Sequence, residues 1–261
     1  MSCDRTVVKV GARILLAVIL LWLALLVRPL MAQSPIQVLN TGHQYVFSER
    51  LDFSIEVQSS SDITELTVFY TQGHDSTTSR AYPNFSPAKQ VKTSVTDQIA
   101  RGQIPPGSEI AYYWRIKDAD GNTFKTEKQH FTYMDNRFDW KSKTKEQVVF
   151  YWYGISDNQA SHLLDVSVEA LDRLAQTIGV SLKQPVKIFA YQSKADMQKA
   201  QVSRGDTFEG QITTLGTVVA PDTMLLLATH SEVEQTISHE LTHVVVGLAT
   251  DNPYSDLPAW L

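Results

Sequence analysis

The sequence predicts a multidomain chain: an all-β sandwich over residues 33–136, then an α+β region over residues 137–261, behind a 32-residue leader. Three observations carry this. Apolar and polar residues alternate with period two at intervals between Leu51 and Tyr133. From Val148 onward, short apolar runs alternate with segments whose apolar residues recur at helical spacing. At the start, basic residues precede an unbroken apolar stretch. With 43% hydrophobic and 20% charged residues over 261 positions, the balance is that of a globular chain, which excludes collagen-like and disordered classes. The single cysteine, Cys3, excludes a disulfide scaffold.

In the leader, Arg5, Lys9 and Arg13 precede Ile14–Val27, and Leu30-Met31-Ala32 offers a small residue at a cleavage point. This reads as a secretory signal. The run is shorter than the roughly 20 residues a spanning helix needs. An uncleaved signal-anchor, with membrane anchoring through residues 14–27, is the alternative. Both place the rest of the chain outside, secreted or at the extracytoplasmic cell surface. Cys3 precedes the run, so it is not the lipidated cysteine of a mature lipoprotein. Removing residues 1–32 takes away Arg5, Lys9, Arg13, Arg28 and Asp4, so the formal charge moves from −5 to −8. Such a surface excludes nucleic acid as a general partner, because phosphate binding needs clustered Lys and Arg.

Within the sandwich, Leu51, Phe53, Ile55 and Val57 form one strand face, Leu66, Val68 and Tyr70 the next, and Ile110, Tyr112, Trp114 and Ile116 a third. Pro105-Pro106-Gly107 and Asp120-Gly121-Asn122 bracket that third strand as turns, and Phe131 and Tyr133 lie on a last one. Asp118–Asn122 reads as a hairpin turn and not a calcium loop, since the further ligand and the spaced glutamate are missing. Strict alternation likewise assigns Trp114 to the core in preference to a carbohydrate platform. The aromatic strand followed by an Asp-Gly-Asn hairpin resembles immunoglobulin or fibronectin type III-like domains.

In the second region, Val148–Tyr153 is an apolar strand. Ser156 with Gln159 forms a capping box for a helix carrying Leu164, Val168, Leu171, Ala175 and Ile178, which Gly179 ends. Val186–Tyr191 is a strand, and Ser193 with Asp196 starts a second helix. Thr213–Ala220 and Met224–Ala228 are strands joined at Pro221-Asp222. Ser231 with Glu234 predicts the start of a third helix.

That helix holds His239-Glu240-Leu241-Thr242-His243. Residues four apart point the same way, so both imidazoles can grip one ion as metal ligands. Glu240 lies one residue round, able to act as the catalytic general base on a metal-bound water. Zn2+ fits this chemistry, lowering the pKa of water and polarising a carbonyl. Val244-Val245-Val246 predicts a buried helix, in which two unpartnered histidines would be costly. His230, just before the helix, reads as a loop residue in preference to a ligand, His162 belongs to an amphipathic helix, and His43, His74 and His130 fall in the sandwich with no ligand spacing. No G-x-S-x-G or phosphate-binding glycine loop is present.

The segment Thr236–Val245, followed by Leu257-Pro258-Ala259-Trp260-Leu261, resembles the gluzincin zinc metallopeptidases of the bacterial peptidase MA-like group. The resemblance implies a thermolysin-like metallopeptidase half-domain acting on peptide or protein substrate. It also implies that Thr213–Ala220 or Met224–Ala228 pairs with extended substrate. The metzincin pattern fails, with Val246 and Ala249 where it needs glycine and histidine. Gluzincins take their third ligand from a glutamate just past a Pro-x-Trp-Leu segment, and here that segment runs to Leu261. The third ligand is therefore expected beyond it. Asp251 and Asp256 flank an Asn252-Pro253 loop and read as loop residues. The reading is an exported zinc metallopeptidase; a non-catalytic extracytoplasmic binding protein is the alternative if the polypeptide ends at Leu261.

Overall fold

The computed structural model describes residues 34–72, 77–179, 182, 184–203 and 214–250. The leader, His74, Thr213, Asp251, Asp256 and Leu257–Leu261 lie outside them. The described chain is mostly β-sheet with a few helices, a β part followed by an α+β part.

Seven strands form the first sheet: β1 (Gln37–Val46), β2 (Arg50–Gln72), β3 (Thr78–Ala81), β4 (Ala88–Gln98), β5 (Ser108–Asp118), β6 (Thr123–Lys125) and β7 (Gln129–Tyr133). The two segments that the sequence presents as separate strands, around Phe53 and Val68, are one strand, β2. Residues 50–58 of β2 bind β1 and β4, whereas residues 63–72 bind β3 and β5, with irregular register between Gln58 and Ile63. The Phe53 ring lies 5.0 Å from Tyr112 and 5.4 Å from Tyr70, so the two halves of β2 face each other across one core. Leu51, Phe53, Val57, Val68, Tyr112, Trp114 and Ile116 are all fully enclosed there. Burying each such side chain stabilises by roughly 1.5–3 kcal/mol.

The hairpin after β5 forms as the sequence predicts. Gly121 has φ +84°, and the Asp118 carboxylate accepts hydrogen bonds from the Asn122 N–H, the Asn122 side chain and Ser59. Burial pushes the Asp118 carboxyl up, but these bonds outweigh it and hold it below the usual carboxylate range.

The second sheet comprises β8 (Lys141–Lys145), β9 (Val148–Trp152), β10 (Val186–Tyr191), β11 (Gly216–Ala220) and β12 (Thr223–Leu227), in the order β11-β12-β10-β9-β8. The inner three strands are parallel and both edges antiparallel. Helix α1 (Asp157–Ile178) makes the crossover from β9 to β10, as a parallel pair requires. Ser156 caps it, accepting from the Gln159 N–H, and Gly179 ends it at φ +74°. The reciprocal half of the predicted capping box is absent: the Gln159 amide donates to the Ala228 carbonyl, tying α1 to the end of β12. Ser193 caps the short helix α2 (Lys194–Gln198).

Alternation along β10 sends Ile188 and Ala190 to the core beneath α1 and α3 (Val233–Thr250). Phe189 and Tyr191 go to the opposite face, into the same core as Phe53 and Trp114. Asp135 sits at this junction, completely enclosed. It accepts from Arg137 at 2.5 and 2.8 Å and from the Tyr191 hydroxyl at 2.9 Å. Arg137 also donates to the Asp196 carbonyl and lies over the Phe47 ring. Phe138 stacks on Tyr153 at 4.0 Å. Removing one partner of such a buried ion pair costs about 3–5 kcal/mol.

Candidate active site

Helix α3 starts differently from the sequence prediction. The Glu232 carbonyl takes the first helical bond, from the Thr236 N–H, and Val233 is the first helical residue. Glu234 does not close a capping box with Ser231: its carboxylate meets His162 of α1 at 2.8 Å, because it faces the neighbouring helix.

Ile237, Leu241, Val244 and Val245 form the buried stripe of α3. His239 is exposed and His243 half-buried, so the predicted burial of both imidazoles is corrected: the apolar residues occupy a different face of the helix. The two Nε2 atoms stand 3.3 Å apart with rings nearly perpendicular. Nitrogens about 2.0–2.1 Å from one tetrahedral ion are separated by about 3.3–3.4 Å, so this pair fits zinc as two of its ligands. Burial, and then the charge of His239, lower the His243 pKa, favouring the neutral imidazole that a ligand must be. Among the described residues, no group of three or more His, Cys, Asp or Glu converges on one point.

Glu240 reaches the edge strand β11. A Cβ at Gly216 would lie 2.7 Å from the Glu240 Cγ and 2.6 Å from the Thr236 methyl, so glycine is what allows helix and strand to approach. The Val218 backbone N–H lies on the side of the Glu240 carboxylate. Burial pushes the Glu240 pKa up, opposed by the His239 charge and by that N–H. Between helix and strand lies a cleft of about 490 Å³ lined by Thr214, Gly216, Glu232, Thr236, His239 and Glu240.

Gly216 and Val218 are absent from the sequence-based site. The available signal was an isolated glycine in a strand pattern, which marks close backbone approach. Of the two strands expected to receive substrate, Met224–Ala228 is ruled out. Its residues Thr223–Leu227 form β12, hydrogen-bonded on both sides, to β10 and β11. Among the described residues, strand β11 is at the sheet edge. His230 accepts the Glu232 N–H through Nδ1, His43 stacks on Phe131 at 3.9 Å, and His130 is exposed on the first sheet. No helix among the described residues is long and apolar enough to cross a membrane.

Residues 166–261 match the Peptidase MA superfamily. This part of the chain is peptidase-like. The match covers the second half of α1, strands β10, β11 and β12, and the His239–His243 helix, and leaves out β9. No curated protein matches the chain. Among solved structures, catalytically inactive OgpA from Akkermansia muciniphila, in complex with an O-glycopeptide, is similar at 11% identity, with a TM-score of 0.29 over 39% of this chain and 29% of OgpA. A myokine structure is similar at 10% identity and TM-score 0.30, over 39% of this chain and 99% of that one. A family 64 β-1,3-glucanase from Paenibacillus barengoltzii is similar at 15% identity and TM-score 0.25, over 36% and 20%.

Proposed function

We propose that the protein is an exported zinc-dependent metallopeptidase of gluzincin type, with His239 and His243 as zinc ligands and Glu240 as general base. The observation that carries this reading is the 3.3 Å convergence of two imidazoles beside the half-buried Glu240 carboxylate at a strand edge. Bound there, zinc supplies Lewis acidity toward water and a carbonyl oxygen. Glu240 takes up the proton released as water attacks; its raised pKa suits it to hold that proton and pass it to the leaving amine. Peptide substrate lies extended on β11, whose edge offers main-chain hydrogen bonds. The third zinc ligand belongs to residues outside those described. The leader directs export, by cleavage or as an anchor at Ile14–Val27.

The test is Glu240→Gln in the natural full-length protein. Peptide hydrolysis should fall roughly 10²–10⁴-fold while zinc content stays at one per chain. Undiminished hydrolysis, or loss of the metal along with activity, overturns the assignment of Glu240 as base.

A further inference from the structure

We propose that the seven-stranded region contributes to substrate selection: its β4–β5 loop forms one wall of a subsite for an uncharged side chain. The inference rests on the peptidase reading and extends it to a second face of the same strand.

Backbone direction along β11 is fixed by pairing. The Leu215 carbonyl accepts from the Leu227 N–H, so Leu215 and Thr217 turn their backbone groups toward β12, up to the register shift at Val219. Gly216 and Val218, the residues between, turn theirs to the outer edge. Side chains alternate as well. Gly216 and Val218 face α3, while Leu215 and Val219 pack into the core shared with the seven-stranded sheet. A peptide added to this edge therefore sends alternate side chains to opposite faces. One row enters the cleft beside His239 and Glu240.

The other row meets a pocket of about 160 Å³, lined among the described residues by Gly102, Gln201, Val202, Thr214, Thr217, Val218 and Val219. Gly102 comes from the loop between β4 and β5, and its placement is tight. It has φ +70°, and a Cβ there would fall 2.2 Å from the Gln201 carbonyl carbon. Ser48, in the β1–β2 turn with φ +62°, accepts from the Gly102 N–H at 2.9 Å and donates to the Lys199 carbonyl at 2.7 Å. The wall is thus held from three separate segments of chain.

Among the described residues, none of the seven that line the pocket is ionisable, so a charge entering it would lose water without gaining a partner from them. A cavity of roughly 150 Å³ accepts a benzene-sized group. The ligand class is an uncharged side chain up to the size of leucine or phenylalanine, carried by an extended peptide.

Val202 is 64% exposed, so it can be replaced without disturbing the core. A hexapeptide library varied at one position at a time is measured by displacement of a labelled peptide from the zinc-loaded full-length protein on a Glu240→Gln background, and by hydrolysis on the active protein. At one position, leucine or phenylalanine should be preferred over aspartate or lysine by tenfold or more. Val202→Trp should shift that preference about tenfold toward glycine and alanine, and Val202→Asp should favour lysine. Identical profiles in all three proteins overturn the subsite, even where hydrolysis is intact. Selective binding without any hydrolysis by the active protein overturns the peptidase reading and leaves the subsite standing. Absence of peptide binding overturns both.

Discussion

The two edges of the five-stranded sheet are built on opposite plans. Strand β8 reads Lys-Ser-Lys-Thr-Lys and is exposed throughout. Its lysines donate to Asp157, Ser161 and Asp165 of α1 at 2.8, 3.3 and 2.7 Å. The match is metrical: two strand residues advance about 6.7 Å and four helical residues about 6.0 Å, so a lysine ladder falls in step with one helix face. Strand β11 reads Gly-Thr-Val-Val-Ala, carries no charge, and keeps its outer backbone groups beside His239 and Glu240. Exposed ion pairs add little stability. Their value at β8 lies in charging an edge that would otherwise recruit another strand. One edge is thus charged against strand addition, whereas the other, in the peptidase reading, is the one that receives an added strand.

Substitution at Gly216 should have the most severe consequence. In Gly216→Val the new side chain displaces Glu240 and Thr236, and peptide hydrolysis should fall by about 100-fold or more, since misplacement by about an ångström is costly in a positioned site. Circular dichroism should remain that of the native protein. If activity survives, the close approach of α3 to β11 is not what positions the base.

At the other edge, Lys141→Val, Lys143→Val and Lys145→Val together should open β8 to pairing. Light scattering should then detect self-association that the native protein lacks, with catalysis unchanged per folded molecule. A monodisperse triple variant would refute the protective role of the lysines.

The smallest effect is expected at Ser48→Ala, which removes two hydrogen bonds between the β1–β2 turn and its neighbours. The loss should be about 1–2 kcal/mol by denaturant titration, with a broadened side-chain preference at the pocket and no change at β8. A preference as sharp as before would separate the latch from selectivity.

Much of this was legible from residue pattern. The alternating faces around Phe53, Tyr112 and Ile188, the Ser156 and Ser193 caps, and the Gly179 stop all depend on neighbours close in sequence, and each appears where its residues predict. What failed to show depended on distant partners. Strand β8 has no apolar alternation, so nothing in Lys141–Lys145 marks it as a strand until α1 supplies acceptors. The polar run Gln58–Asp62 resembles a turn, yet it is where one continuous strand passes from β1 and β4 to β3 and β5. Glu234 fits a capping box locally, but His162 outcompetes that role from another helix. The spacing of His239 and His243 gave their shared direction. Their exposure, and the role of Gly216, required knowing which strand lies alongside.

The enclosed face of β10 and β12 bears on how such a chain can be inherited. Phe189, Tyr191, Leu225 and Leu227, with Met197 and Ala200, complete a core whose other buried members lie before Asp135. A gene cut at residue 136 would leave the downstream product with a greasy, uncovered flank and poor solubility. Exchange of the upstream part by recombination is constrained in the same way, for any replacement must arrive already shaped to cover those side chains.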